Sequence, residues 1–500
     1  MKPALNGSTF DASLPLQGTR MRLARLARSI GSTAWALPLA VLALLAANLL
    51  VHWPGGMNND SLSHLEQARS GQWEDWDPPI MTWVWSLLLR VADGPGPFLV
   101  LHLVAYWAGF GLLADGLRRA GRTGLGWAMA AAGAFPPLLV LNGVITKDAS
   151  MVAAWLAGIG LLAWFRLQQR RVPPWAWAVA SLLLLYGTLV RPNAAFALGP
   201  VLLWAWRPIH RSVWRWGAAS VVVALVTIPT GGALNSALFR AQKTHAEHSL
   251  FLFDLHGIAV HARQPQLLQP RATLTLDEAR ACYTPYWWDS LSPWGRCAAK
   301  VHRPAASPLV TMPEGIGRQW AQAIASHPVA WMQHRLKHFN SSIMWMIPLK
   351  HIRLTPEYAT DDPAWTPIAT VSDSEVRGDL LRKNSLGWPV TWLTWGVGLL
   401  FVLHRRAPAD GTAAGVLATM LAVSALGYSG AYLVIGVATD LRYHYWSVLV
   451  LLAATVLALP HVQQAWRERR PVLWGAAAGV LFVVATGTAA RLADWRVWMQ

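Results

Sequence analysis

Charge is scarce in this 500-residue chain: Asp, Glu, Lys and Arg together make up 13%, against roughly 25% in ordinary soluble domains. Cysteine is nearly absent, with two in the whole sequence, and a small disulfide scaffold is therefore excluded. There is no Walker or dinucleotide-binding glycine fingerprint, so ATP hydrolysis is not expected. What the chain has in quantity is apolar: 54% hydrophobic residues and a mean hydropathy of +0.32. Stretches near the roughly 20 residues needed to span a bilayer recur along nearly all of it, which excludes disorder, collagen, coiled coil and a single-pass anchor. The 42 Lys and Arg against 25 Asp and Glu leave a net charge of +17. In a soluble protein that excess would suggest nucleic acid; here it falls mostly in short loops between apolar runs, where it marks membrane topology. No nucleic-acid partner is expected.

Lys2, Arg20, Arg22, Arg25 and Arg28 precede the first apolar run, 33–52. That run is long enough to span and no clear small-residue cleavage site follows, so it reads as a retained helix with its basic end, 1–32, in the cytoplasm. The following segment, 53–96, then lies outside and carries Asp60, Glu66, Glu74, Asp75, Asp77 and Asp93. Its apolar stretch 79–92 is short for a span and is placed outside as an interfacial helix, because counting it would put Arg118, Arg119 and Arg122 on the wrong side. Spans are expected at 97–114, 124–143, 149–165, 173–190, 194–206 and 216–233, and again at 386–403, 412–435, 443–460 and 471–489. Arg166, Arg170, Arg171, Arg207, Arg211, Arg215, Arg405, Arg406 and Arg467 to Arg470 all fall in inner loops. The expected fold is an all-α polytopic membrane protein with about 11 transmembrane helices, within a range of about 10 to 13. It divides into an N-terminal membrane module, 33–233, a polar extracytoplasmic domain of mixed structure, 234–385, and a C-terminal membrane module, 386–500.

Cys282 and Cys297 both lie in the outer domain. Their spacing permits a disulfide closing a loop of about 15 residues, worth about 3 kcal/mol in the chain-entropy model. Helical signals occur there at 317–326 and 329–339. The 31 Trp include Trp53, Trp73, Trp76, Trp175, Trp177, Trp204 and Trp206 at span ends, and most read as interfacial anchors. His245 and His248 have helical spacing, but with no Cys or carboxylate set to complete a zinc signature they read, with His256 and His261, as loop histidines.

The first outer loop is the richest in candidate chemistry. Asp60 follows the first span closely, and Asp75-Trp76-Asp77 is pinned by Pro78-Pro79. Such carboxylates can serve simply as loop charge. Gathered at one cavity rim they can instead accept a proton from a hydroxyl nucleophile or hold a metal. Downstream, Lys147-Asp148, Arg191-Pro192-Asn193 and Arg442-Tyr443 occur at outer span ends, where each cation can bind phosphate or snorkel to headgroups. Arginine suits bidentate phosphate contact better than lysine.

With the motif from His327-Pro328 through Trp331, His334-Arg335-Leu336 and His338-Phe339, and Tyr445-Trp446 after Arg442, this order of elements resembles the polyprenyl-phosphate-sugar-dependent glycosyltransferases of the GT-C fold. The similarity covers most of the chain as architecture, carried by short motifs. One position departs from it: Asp77 stands before the prolines where many relatives carry His. The resemblance implies transfer of one sugar from a polyprenyl-phosphate carrier to a glycan or lipid acceptor, with Asp60 as general base. It implies that Asp75, Asp77 and Asp148 orient the acceptor or a divalent metal, and that Arg442, Arg191, Lys147 and Tyr443 bind the donor phosphate. Apart from that metal, no cofactor is implied. Arg outnumbering Lys and abundant Ala suggest a GC-rich bacterial gene, hence an inner membrane with the active site on the periplasmic face, in contact with membrane lipids. The alternatives are a transporter or flippase of a lipid-linked saccharide, and a polymerase or ligase of lipid-linked glycans. A transporter would be expected to carry charges within its spans or paired broken helices in two related halves.

Overall fold

The computed structural model describes residues 34–77, 79–206, 213–269, 272–301, 315–349, 383–404 and 412–495. The N-terminal part comprises α1 (Ala36–His52), α2 (Asn59–Ser70), α3 (Pro79–Leu88), α4 (Gly96–Arg119), α5 (Thr123–Gly133), α6 (Pro136–Asn142), α7 (Lys147–Leu167), α8 (Pro174–Val190), α9 (Ala195–Trp206) and α10 (Val213–Phe239). Then come α11 (Glu247–His261), α12 (Leu276–Cys282), α13 (Ala298–Val301), α14 (Ile316–Ser326) and α15 (Pro328–Ser342). The C-terminal part holds α16 (Pro389–Leu403), α17 (Ala413–Ile435), α18 (Tyr445–Arg467) and α19 (Pro471–Leu492). Among the described residues there is no strand, only isolated bridges. The outer domain is therefore helical there rather than mixed, and the two helical signals in it are realised as α14 and α15. Helix α10 runs on past residue 233 to Phe239.

The protein has the helices of a membrane protein. Six are long and apolar enough to cross a bilayer: α4, α7, α10, α17, α18 with its leading turn, and α19. The bent pair α5 and α6, which turns by 51° at Ala134–Phe135, makes a seventh if it is one span. The break falls where Pro136 and Pro137 withdraw two backbone donors. Shorter apolar helices are α1, α3, α8 and α16. Each of the eleven stretches expected to span thus coincides with a helix, or with this bent pair, but several are too short to count as spans on length alone. The N-terminal basic residues, Arg207, Arg211, Arg405 and Arg406 lie outside the described residues.

Helix α7 is the most enclosed of the long helices and packs along α4 and α8. Its approach to α4 depends on small residues: a Cβ on Gly160 would meet the Gly109 carbonyl oxygen at 2.7 Å, the close backbone contact that small-residue interfaces allow. Helices α10 and α19 expose most of their apolar surface, as lipid-facing helices do. Trp53, Trp175 and Trp206 are exposed, whereas Trp204 is buried beneath the Arg166 guanidinium, 4.4 Å from its ring, so Trp204 serves as packing rather than as an anchor.

At one end of the bundle Asp115 accepts from Arg118, Arg119 and the Trp164 indole, and Arg166 donates to the Trp204 and Ala205 carbonyls. These are the ends of α4, α7 and α9, which the charge pattern assigned to one side. At the opposite end, a polar knot joins α1, α4 and α6: Asn48 Oδ1 accepts from Trp107 Nε1 at 3.1 Å and Asn142 Nδ2 at 3.2 Å, while its amide meets His52 Nδ1 at 2.9 Å. Beside it the chain after α1 is sewn to the α6–α7 connection. Gly56 N donates to Gly143 O at 2.9 Å and Ile145 N to Gly56 O at 3.0 Å. Gly143 has no room for a side chain, since a Cβ there would lie 1.8 Å from His52 Cδ2.

Candidate functional site

The seam at Gly56 fixes where the first outer loop begins. Asn58 caps α2 by accepting from Ser61 N at 2.9 Å, and the Ser61 hydroxyl donates to the Ile145 carbonyl. Asp60 sits in the first turn of α2, and its carboxylate meets Arg442 Nη1 at 2.8 Å. Thr146 caps α7 by accepting from Ala149 N, which leaves the Asp148 side chain for other partners. Those partners are Arg191 Nε at 3.0 Å and Arg442 Nε at 3.9 Å. Lys147 does not pair with its neighbour; its Nζ is 3.4 Å from Asp77 Oδ1.

The result is an ion cluster drawn from four separated parts of the chain, in which the Asp77–Lys147 pair stands beside the linked Asp60–Arg442–Asp148–Arg191 chain. Asp60 and Asp77 come from the first outer loop, Lys147 and Asp148 from the start of α7, Arg191 from the end of α8, and Asp440 and Arg442 from the turn leading into α18. Asp440 Oδ2 lies 3.0 Å from Arg442 Nε, and its Oδ1 accepts from Arg442 N at 3.1 Å. Tyr432, at the end of α17, accepts from Arg191 Nη2 at 3.1 Å and from Asn193 Nδ2 at 3.4 Å. Tyr443 stacks on Tyr432, with ring centroids 5.4 Å apart, and both arginines lie over its ring. The aromatic pair thus fixes the two guanidiniums side by side.

Asp77 is clamped rather than open. His64 Nε2 is 2.9 Å from Oδ1, and the Ser63 hydroxyl donates to Oδ2 at 3.1 Å. Burial alone would raise its pKa, but His64 and Lys147 hold it well below the usual carboxylate range. The same opposition acts at Asp60: burial raises its pKa, and Arg442, with Lys147 beyond it, outweighs burial and brings it down to about 2. At Asp440 burial wins and its carboxyl is pushed up to about 6, with Arg442 pulling the other way. Exposure separates the members. Asp60 keeps 33% of its side-chain surface, whereas Arg442 keeps 11% and Asp148 1%. Lys147, Asp440 and Arg191 keep 14%, 12% and 10%, so the accessible member of the cluster is Asp60.

Of the residues picked from sequence, Asp60, Asp77, Lys147, Asp148, Arg191, Arg442 and Tyr443 are brought together. Asp75 is not: it lies on the exposed side of the loop, where its Oδ1 accepts from Thr244 N at 2.6 Å and Thr244 Oγ1 at 2.7 Å. That ties the loop to the chain after α10. A divalent metal held by Asp75 and Asp77 does not fit this arrangement, because one is bound to Thr244 and the other is occupied by His64, Ser63 and Lys147. Sequence reasoning missed His64 as the Asp77 clamp and Tyr432 as the Arg191 partner. The first had a signal in its position four residues after Asp60 on the same helix; the second had none.

The motif spanning 327–339 builds a different network. Asp254, fully buried, accepts from Trp320 Nε1 at 2.7 Å and Trp331 Nε1 at 3.1 Å through Oδ2, and its Oδ1 lies 2.5 Å from Arg335 Nη2 and 3.2 Å from His334 Nε2. Arg335 Nη1 continues to the Gly436 carbonyl at 2.6 Å, and His338 Nδ1 to that of Pro285 at 2.8 Å. These residues join α11, α14 and α15 to the end of α17, so this histidine-rich motif is glue. Cys282 and Cys297 form a disulfide, with their Cα atoms 5.8 Å apart.

No family model, curated protein or solved structure matches the chain.

Proposed function

We propose that the chain is an integral membrane glycosyltransferase of GT-C type that moves one sugar from a polyprenyl-phosphate carrier to a cell-envelope glycan or lipid. In this reading it has eleven spans and a cytoplasmic N-terminus, and the ion cluster opens on the periplasmic face of a bacterial inner membrane. One observation carries the reading. A buried ion network of three cations and four carboxylates costs desolvation and is a poor device for stability alone; here it gathers at the outer span ends and leaves a carboxylate accessible beside a guanidinium.

Inverting transfer asks for those two groups. The acceptor oxygen attacks the anomeric carbon, the bond from that carbon to the phosphate oxygen breaks, and the polyprenyl phosphate leaves with the electron pair. Arg442, Arg191 and Lys147 stabilise the leaving phosphate. Asp60 takes the acceptor proton. Paired with Arg442, Asp60 is too weak a base, but a phosphate that claims Arg442 releases it and restores ordinary carboxylate basicity. Donor binding thereby switches the base on. Asp77 keeps Lys147 in place, and Asp148 fixes the two arginines.

The test is mass spectrometry of envelope glycans and lipid-linked sugars from cells lacking the gene, complemented with wild type or with Asp60→Asn at equal membrane expression. Loss of one sugar decoration, accumulation of its polyprenyl-phosphate precursor and rescue by wild type alone support transfer. Full rescue by Asp60→Asn removes Asp60 as the base. An unchanged glycan profile removes glycosyl transfer and turns attention to transport of a lipid-linked saccharide.

A further inference from the structure

Read along the chain, His245 and His248 lacked a third ligand; folded, they have one. His245 adopts a left-handed backbone with φ of 56°, and its ring stacks on that of His248, with centroids 4.9 Å apart and planes 7° apart. Glu247 stands between them. Its Oε1 lies 3.1 Å from His245 Nδ1 and 4.0 Å from His248 Nε2, and one ligand atom from each of the three residues falls within 4.8 Å of the others. A tetrahedral zinc-class ion with bonds of about 2.0 to 2.2 Å sets neighbouring ligand atoms about 3.3 Å apart. The spacing found brackets that value; because the two imidazoles are stacked and parallel, one of them turns out of the stack for both nitrogens to face a single ion. Among the described residues this is the one grouping of three metal-type side chains of this compactness.

We propose that His245, Glu247 and His248 form a binding site for a borderline transition-metal ion, of which Zn²⁺ is the probe, with water in the fourth position. Two imidazoles and one carboxylate favour such an ion over Mg²⁺ or Ca²⁺, which take oxygen ligands. The site lies outside the ion cluster of the proposed reaction, at the seam between the first outer loop and the outer domain. Gln242 N donates to Trp73 O at 2.8 Å, Asp75 N donates to Gln242 O at 3.0 Å, and Thr244 holds Asp75. A metal at 245–248 locks the strand of chain that makes those bonds.

The experiment is a Zn²⁺ titration of the full chain, purified in detergent with a tag free of histidine, beside the His245→Ala/His248→Ala double variant. Wild type is expected to bind one more equivalent than the double variant, with half-saturation at or below about 10 μM, and to be indifferent to Mg²⁺ at the same concentration. Hydrogen exchange at 73–77 and 242–248 is expected to slow with Zn²⁺ in wild type alone. Should the double variant aggregate, Glu247→Gln preserves shape and is expected to weaken binding by about tenfold or more. Equal uptake by wild type and variants, or displacement of Zn²⁺ by equimolar Mg²⁺, overturns the site.

Discussion

Two buried ion networks among the described residues differ in one respect. Around Asp254 the charged partners are enclosed: the Asp254, His334 and Arg335 side chains are at most 1% exposed, and the carboxylate is saturated by their imidazole and guanidinium together with two half-buried indoles. Around Asp60 the network is open, with exposure falling from Asp60 to Arg442 to Asp148. Both hold their central carboxylate at about 2, against the pull of burial. Low pKa and charge pairing are therefore common to both networks. What sets the Asp60 network apart is access.

The sharpest way to break this contrast is to remove each carboxylate in turn. Asp60→Asn is expected to cut sugar transfer by about 10² to 10⁴-fold while the unfolding temperature in detergent holds. Asp254→Ala is expected to cost about 3 to 5 kcal/mol of stability, read as a lower unfolding temperature, because it strands Arg335 in the interior. If the stability loss follows Asp60 and the activity loss follows Asp254, the assignment of roles is reversed. Next in size, Cys282→Ser is expected to remove about 3 kcal/mol from the outer domain, seen as earlier proteolysis around α12, with transfer retained at low temperature. Arg191→Lys keeps the charge but loses the fork that reaches Asp148 and Tyr432; donor KM is expected to rise by roughly tenfold with little change in kcat.

The smallest effect concerns pH. Asp440 has a folded pKa of about 6, above its ordinary 3.8, so its neutral form is favoured by the fold; that contribution is complete below 3.8 and is lost as pH rises through 6. A phosphodiester donor stays ionised over this range, so donor KM should climb a few-fold as ionised Asp440 competes for Arg442. Asp440→Asn should flatten the profile. A profile of unchanged slope would remove Asp440 from the open network.

Much of this was legible in sequence because it is written locally. Apolar runs mark the helices, and loop arginines sort their ends: Arg118, Arg119 and Arg166 do gather at one end, and Lys147, Arg191 and Arg442 at the other. Short motifs at span ends gave most of the cluster. What stayed hidden depends on which ends meet. Tyr432 carries no mark of its pairing with Arg191, 241 positions away. Asp75 looked equivalent to Asp77 until folding gave one to Thr244 and the other to His64. The described part of 234–385 is helical but reads as mixed because short helices among prolines leave little periodicity to read. Glu247 was passed over because loop carboxylates are common and a ligand set is a matter of distance.

The seam at Gly143 bears on how the protein tolerates change. That residue carries no charge, no nucleophile and no side chain, yet one added methyl group drives into the buried His52 ring, so either that ring leaves Asn48 or the α6–α7 turn shifts from Gly56. A shift of the turn would carry Ile145 and the Ser61 it anchors, and Asp60 with them. A survey of mutational sensitivity should therefore find one of its deepest minima at a position that no inventory of functional groups would contain.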